Sequence, residues 1–427
     1  MKPLPLLLGL GFSFLLGLSG SRVTAAEPPV GWIDPDTGHR VVRLSRRPGT
    51  ASLYFHQYPY SADGRKLVVT TSNPPGIAAV DLASRELTQV VEGRVRVLMT
   101  GRKSGDIHYV RDGAVWASNL ETSAARKVAD LPDHLRRAGN IAVNADETLL
   151  VVVGVDPEGR TEPRTPPPGR SAGSLEANWA AGTPKAIHTI DLATGVVRRI
   201  HRENDWTNHL QCSPTDPSVI LFCHEGPWHY VDRVWTIRAD GAGLRLLHRR
   251  TMDMEIAGHE FFGADGRTVW YDLQTPKSGV FWLAGVDLET GERTWYSVRR
   301  EDWSVHYNVS PDGALFAGDG GGPESVAARG PDGRRLDPPG NGPWISLFRP
   351  VKVVNPAAAF PEQRNLIRTG TLEAERLVNL AKHNYRLEPN VTFTPDGKWI
   401  VFRSNLHGEV HTYAVEVAKS AVAESGP

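Results

Sequence analysis

One short turn signature recurs along the chain, and each copy leads into a run of β-branched or aliphatic residues. It reads Ser61-Ala-Asp-Gly-Arg-Lys-Leu-Val, Asn144-Ala-Asp-Glu-Thr-Leu-Leu, Gly263-Ala-Asp-Gly-Arg-Thr-Val-Trp, Ser310-Pro-Asp-Gly-Ala-Leu-Phe and Thr394-Pro-Asp-Gly-Lys-Trp-Ile, with Ser213-Pro-Thr-Asp-Pro-Ser-Val-Ile as a variant. Asp-Gly supplies the positive φ and Pro the fixed φ that tight hairpins require. A second signature follows some of these: Val80-Asp-Leu-Ala-Ser, Ile190-Asp-Leu-Ala-Thr-Gly, Arg238-Ala-Asp-Gly and Val286-Asp-Leu-Glu-Thr-Gly. The aspartates of the first signature are separated by single or doubled units of roughly 40–50 residues, the period of four-stranded propeller blades. One such blade cannot bury both of its faces, so blades must stack around an axis into one large domain. Residues 38 to 417 leave room for seven blades with insertions, which makes the expected fold an all-β, seven-bladed propeller over residues 27–420. The 427 residues would suggest about three domains on length alone, but the repeat overrules that prior. With 42 glycines, 32 prolines and 12 tryptophans, the composition suits short aromatic-rich strands joined by turns and excludes a helical bundle.

The first residues have a different character. Lys2 precedes an apolar run from Leu6 to Leu18, followed by Ser-Arg-Val-Thr-Ala-Ala. A short positive region, a short apolar region and small residues before the cut make a secretory signal. The expectation is a signal peptide over residues 1–26 and export to the periplasm or the cell exterior, with no membrane span in the mature chain. Lys+Arg and Asp+Glu balance at 48 each, which gives no reason to expect a nucleic-acid partner. Cys212 and Cys223 make no CxxC motif. If Ser213–Ser218 turns a hairpin, Cys212 faces about residue 220 and both thiols stay free.

Two stretches do not fit the blades. Asp156–Pro184 and Gly320–Pro343 are rich in Pro and Gly and read as long loops. Polar clusters stand where innermost strands would begin: His56-Gln57, His209, Phe222-Cys-His-Glu-Gly-Pro227, Val231-Asp-Arg233, Gly258-His-Glu-Phe261, Val305-His-Tyr-Asn308 and His383-Asn-Tyr-Arg-Leu-Glu-Pro-Asn390. Propellers hold ligands at the axis, so these clusters point to one shared space. A histidine near a strand start is more often a hydrogen-bonded structural residue, and Glu388 could equally pair with Arg386 or Arg376.

The run from Asp205-Trp206 to Asp319-Gly320 resembles the oligogalacturonate lyases, seven-bladed propeller enzymes that cleave oligouronides derived from pectin. The matching pieces are Phe222-Cys-His-Glu-Gly-Pro, Val231-Asp-Arg, His259-Glu-Phe, His306 before its turn and Gly318-Asp-Gly, together with Tyr54-Phe-His-Gln and Phe393-Thr-Pro-Asp. The resemblance implies that His259 is the Brønsted base, that Arg233 meets the substrate carboxylate and that His306 is a ligand of a divalent metal, usually manganese. The family's other ligands form a Gln-x-x-His-Pro-His run. Here that segment reads Tyr385-Arg-Leu-Glu388-Pro-Asn390, so the glutamine and both histidines are replaced.

The chemistry tests whether the remaining set can suffice. β-Elimination removes the C5 proton beside a carboxylate and expels the C4 oxygen, so it needs a cation near that carboxylate and a base that titrates near working pH. Carboxylate, amide oxygen and imidazole suit a hard ion, so Glu388 and Asn390 with His306 form the expected metal set, for Mn²⁺ or else Ca²⁺. His56 and His383 are the other replacement ligands to consider. His224, Glu225, His209, His56 and Gln57 are the expected substrate contacts. The expected activity is cleavage of an anionic, uronic-acid-containing oligosaccharide. A propeller that only binds glycan or protein, and a lyase or hydrolase for a different uronide, are the alternatives.

Overall fold

The computed structural model describes residues 27–165, 175–337, 342–354 and 366–419. The expected signal peptide, 1–26, lies outside them. The described strands form six sheets, built almost wholly of antiparallel meanders whose strands follow chain order. Thr50–Ser52, Lys66–Ser72, Pro75–Asp81 and Leu87–Glu92 make one sheet, and Arg96–Thr100 to Ala125–Asp130 the next. Asn140–Val143 to Val197–Glu203 and Trp206–Cys212 to Arg245–Leu246 follow in the same way. An eight-stranded sheet holds two further meanders, Ile256–Phe262 to Arg293–Val298 and Tyr307–Val309 to Arg368–Asn379, joined by a parallel pairing of their last strands. In the sixth sheet, His39–Arg43 from near the start of the described chain pairs with Glu409–Lys419 from its end, Val41 opposite Val415. That pairing ties the two ends of the described chain together.

The two turn signatures have distinct jobs. The first joins the first and second strands of a meander. Ser61 Oγ donates to Asp63 Oδ1 at 2.7 Å, Gly64 takes φ +72°, and the same device recurs as Ser310 to Asp312 and Thr394 to Asp396, each at 2.6 Å. The second joins the third and fourth strands by an Asx turn. The backbone N–H groups of Ser84, Thr194 and Thr290 each lie 2.8 Å from the carboxylates of Asp81, Asp191 and Asp287. In the Asn144-Ala-Asp-Glu copy, Glu147 takes the left-handed position that glycine fills elsewhere, at φ +58°.

Apolar layers fill the spaces between successive sheets. Leu53, Val68 and Ile77 pack against Ile107 and Tyr109 of the next sheet, and Val151 and Ile187 against Ile220 and Phe222. Leu67, Val68 and Val69 are all fully buried. A strand covered on both faces reads as a continuous apolar run without alternation, so these strands were visible only through their flanking turns. At roughly 25 cal/mol per Å² of apolar surface removed from water, these layers are the main stabilising term.

The insertions are less loop-like than their composition suggests. Within 156–184 the segment Leu175–Ala180 is an α-helix, and its Trp179 packs against Tyr230 with ring centroids 5.9 Å apart. Within 320–343, Val326–Ala328 is a 3₁₀ turn, and Arg329 bridges Arg335. Ala180 of the helix and Ala327 and Ala328 of the 3₁₀ turn are buried. Cys212 faces Ile220, and both cysteines are free.

Candidate active site

Two neighbouring innermost strands carry the same irregularity. The ladder of Trp206–Cys212 slips between Asn208 and Gln211, and that of Ile256–Phe262 slips between Gly258 and Phe261. The residue at the centre of each bulge is a histidine in the left-handed region, His209 at φ +48° and His259 at φ +49°. Such a conformation costs a non-glycine residue on the order of 1–3 kcal/mol and re-aims its side chain. Both bulges are locked together, because the buried Gln211 side chain donates to the Glu260 carbonyl at 2.7 Å.

Arg233 stands between them, fully buried. Its Nε donates to Glu260 at 3.0 Å and its Nη1 to Glu225 at 2.8 Å, whereas Nη2 is buried without a partner. The Trp228 ring lies 4.7 Å under the guanidinium and 5.2 Å from the His259 ring, with its own N–H on Glu225 at 2.9 Å. Glu260 also lies 3.2 Å from His209 Nδ1, an ion-pair separation whose angle falls short of a hydrogen bond. Burial alone would raise the Glu260 carboxyl, but the Arg233 guanidinium and then His209 outweigh it and hold the group well below the usual carboxylate range. His259 goes the other way. Burial, reinforced by His306 and Arg233, holds it well below the usual imidazole range, so it stays neutral.

His306 completes the group, its ring 4.9 Å from His259 and 5.3 Å from Tyr54. Asp319 fixes it by accepting from the His306 backbone N–H at 2.9 Å and pairing with Nδ1 at 2.8 Å. Nε2 is left buried and unpartnered, 3.8 Å from a half-exposed Glu388 carboxylate. A histidine whose Nδ1 is held by a carboxylate and whose Nε2 is open is prepared as a metal ligand. With Glu388 it offers one imidazole and one carboxylate, the latter a donor that suits Mn²⁺, so the pair fits a divalent ion when substrate and water complete the coordination. A cavity of about 320 Å³ lined by His56, Gln211 and Phe261 adjoins the cluster, and a cleft of about 590 Å³ lies beside Asp319, Tyr385 and Glu388.

The chain matches the family model described as oligogalacturonate lyase over residues 30–421. The chain belongs to the oligogalacturonate lyase family. It is thus a carbon–oxygen lyase acting on oligogalacturonides. Among curated relatives it is 27% identical to the oligogalacturonate lyase of Dickeya dadantii over 396 residues, covering 91% of this chain and 95% of the relative. It is 26% identical to the oligogalacturonide lyase of Pectobacterium atrosepticum, over the same shares of each chain. Among solved structures, an oligogalacturonate lyase in complex with manganese is 25% identical with a TM-score of 0.72, over 91% of this chain and 96% of that one. A Vibrio parahaemolyticus oligogalacturonate lyase, 20% identical with a TM-score of 0.73, shares the fold over 91% of this chain and 96% of that one.

Within this lyase the structure brings His209, Glu225, Arg233, His259, His306 and Glu388 around one space, with His56 at its edge, 6.1 Å from His209. Burial and then His209 push His56 down to about 3. Four expected positions are corrected. His224 faces away from Arg233, because Cys223 and Glu225 occupy the inward face of that strand and alternation sends His224 outward to Glu203 at 2.9 Å. Asn390 is a strut whose amide is spent on the backbone: its oxygen accepts from Phe55 N–H at 3.0 Å and its Nδ2 donates to the Glu388 carbonyl at 3.1 Å. Gln57 likewise accepts from Tyr54 N–H at 3.0 Å inside its own turn. His383 has both nitrogens engaged, with Ser404 at 2.9 Å and the Leu387 carbonyl at 2.6 Å. Asp232 anchors Arg250, accepting from its backbone N–H at 3.2 Å and pairing with its guanidinium at 3.3 Å. Glu260, Trp228 and Asp319 escaped the sequence reading as site residues. Glu260 directly follows His259, and Asp319 lies inside a quoted Gly-Asp-Gly, so both were in view without a reason to choose them.

Proposed function

We propose that this lyase is exported and is a single-domain, seven-bladed propeller over residues 27–420. The proposed reaction is β-elimination on an oligogalacturonate-like uronide, with His259 as base and Arg233 on the uronate carboxylate. Five single-meander sheets and one double one support the blade count. The apolar leader before Ala26 supports export, and among the described residues no helix is long and apolar enough to cross a membrane.

The observation that carries the chemistry is the pairing of a neutral, half-buried histidine with a buried guanidinium whose Nη2 has no partner. The C5 proton of a uronide is weakly acidic until the adjacent carboxylate is neutralised. Arg233 supplies charge there through Nη2, while Glu260 and Glu225 fix the plane of its guanidinium. His259 is held unprotonated by its surroundings, as a base must be before it takes the C5 proton. Electrons from the C5–H bond form the C4=C5 double bond as the C4–O bond breaks. Trp228, against both Arg233 and His259, walls the pair from water and presents an aromatic face on which a sugar ring can stack. His306 and Glu388 would hold a divalent metal, which would supply additional positive charge near the uronate carboxyl. The manganese named with the similar solved structure supports manganese as that ion.

The test is the ultraviolet absorbance of the 4,5-unsaturated uronate released from oligogalacturonate. The mature chain should generate it, and His259→Ala should abolish it while oligogalacturonate binding, read by calorimetry, is retained. Full activity in His259→Ala would remove the base assignment. Binding without absorbance in the unmodified chain would return it to the glycan-binding reading.

A further inference from the structure

We propose that His209 is the general acid of this reaction, its Nε2–H protonating the C4 oxygen as His259 removes the C5 proton. The inference rests on the lyase reading above and deepens it. Expulsion of a sugar alkoxide into a water-poor site is slow unless the oxygen receives a proton as the bond breaks. Among the described residues no hydrogen bond is made by His209 Nε2, whereas Nδ1 faces Glu260 at 3.2 Å. A carboxylate behind one nitrogen fixes the ring and leaves the other nitrogen turned to the substrate.

The comparison with His259 makes the assignment specific. The two histidines occupy equivalent bulges on neighbouring strands, both at positive φ. Their surroundings differ in sign. His209 faces the carboxylates of Glu260 and Glu225, the latter also joined to Asn208 at 3.4 Å, with Tyr54 and His56 as neutral neighbours at 6.0 and 6.1 Å. His259 has Arg233 and His306 beside it and Trp228 across it. Two like groups set in equivalent bulges, one facing carboxylates and the other a guanidinium, are placed to divide acid and base roles between them. The step balances. The C5–H pair becomes the C4=C5 bond, the C4–O pair stays on oxygen and takes the His209 proton, and His259 holds the abstracted proton. Proton exchange with water then restores both histidines.

A leaving-group experiment tests this. His209→Gln and Tyr54→Phe, each checked for an unchanged circular dichroism spectrum, would be assayed on oligogalacturonate and on a galacturonate bearing 4-nitrophenyl on O4, which leaves as 4-nitrophenolate. The second substrate's leaving group needs no proton. For His209→Gln the expected loss in kcat is about 10²–10⁴-fold on the sugar leaving group and less than about tenfold on nitrophenolate. Equal losses on both substrates would overturn the inference, as would a leaving-group-selective loss in Tyr54→Phe but not in His209→Gln. If His209→Gln does not fold, His209→Asn with the same pair of substrates carries the same decision. Absence of elimination by the unmodified enzyme on either substrate would instead overturn the lyase reading, and this inference with it.

Discussion

Glu260→Gln is the most informative stability perturbation in the molecule. The carboxylate and the Arg233 guanidinium are both fully shielded from solvent and 3.0 Å apart. At an effective dielectric of about 20 that separation corresponds to about 5 kcal/mol of direct attraction. The variant keeps the shape and one oxygen that can still accept from Arg233 Nε, and Glu225 stays at 2.8 Å. The charge that faces both Arg233 and His209 is nevertheless lost. Removing one partner of a buried pair typically costs about 3–5 kcal/mol, because the other charge is left buried. We expect a loss near the lower end, about 3 kcal/mol, read as a shift in the midpoint of urea unfolding followed by tryptophan fluorescence. Arg233→Met in the same background completes a cycle. The double variant should be more stable than the sum of the two single losses by about 1–3 kcal/mol, the coupling of residues in one network. A Glu260→Gln protein within about 1 kcal/mol of the unmodified one, with additive singles, would refute a buried charge array around Arg233.

Asp319→Asn should weaken manganese binding about 10–100-fold, since it releases the carboxylate that orients His306; isothermal titration calorimetry reads this, with His306→Ala and Glu388→Ala expected to lose binding further. Asn390→Ala should cost about 1–3 kcal/mol of stability by stranding the buried Phe55 N–H, while manganese affinity in the same calorimetry stays within about threefold. Acid should destabilise the fold through His56. Its folded pKa, about 3, lies below the ordinary value of about 6.5, so the contribution is present above pH 6.5 and is lost progressively as pH falls towards 3. His56→Asn should flatten the fall in melting temperature over that window.

Much of this was legible in the turns. Ser61-Ala-Asp-Gly and Ile190-Asp-Leu-Ala-Thr-Gly specify local hydrogen bonds that form whatever surrounds them, which is why they marked the meanders correctly. That His259, Arg233 and His306 stand together was legible because a family pattern grouped them. What was not legible depends on three-dimensional facing. Alternation put His224 and Glu225 on opposite sides of one strand, and no spacing in the sequence says which of the two looks at Arg233. Asn390 was chosen for its amide oxygen, but the left-handed turn at φ +54° spends that oxygen on a backbone N–H far away in sequence. Glu260 was hidden for a related reason: a bulge lets two consecutive residues, His259 and Glu260, serve one site, against the usual alternation of a strand.

The central claim is that the glycosidic bond is broken by elimination and not by water. The direct measurement is digestion of trigalacturonate in water enriched in oxygen-18, followed by mass spectrometry of the fragments. Elimination leaves one fragment with a 4,5-double bond, the fragment masses sum to that of the substrate, and no oxygen-18 is incorporated at the cleaved bond. Fragments that together carry one added water, labelled with oxygen-18, would contradict it.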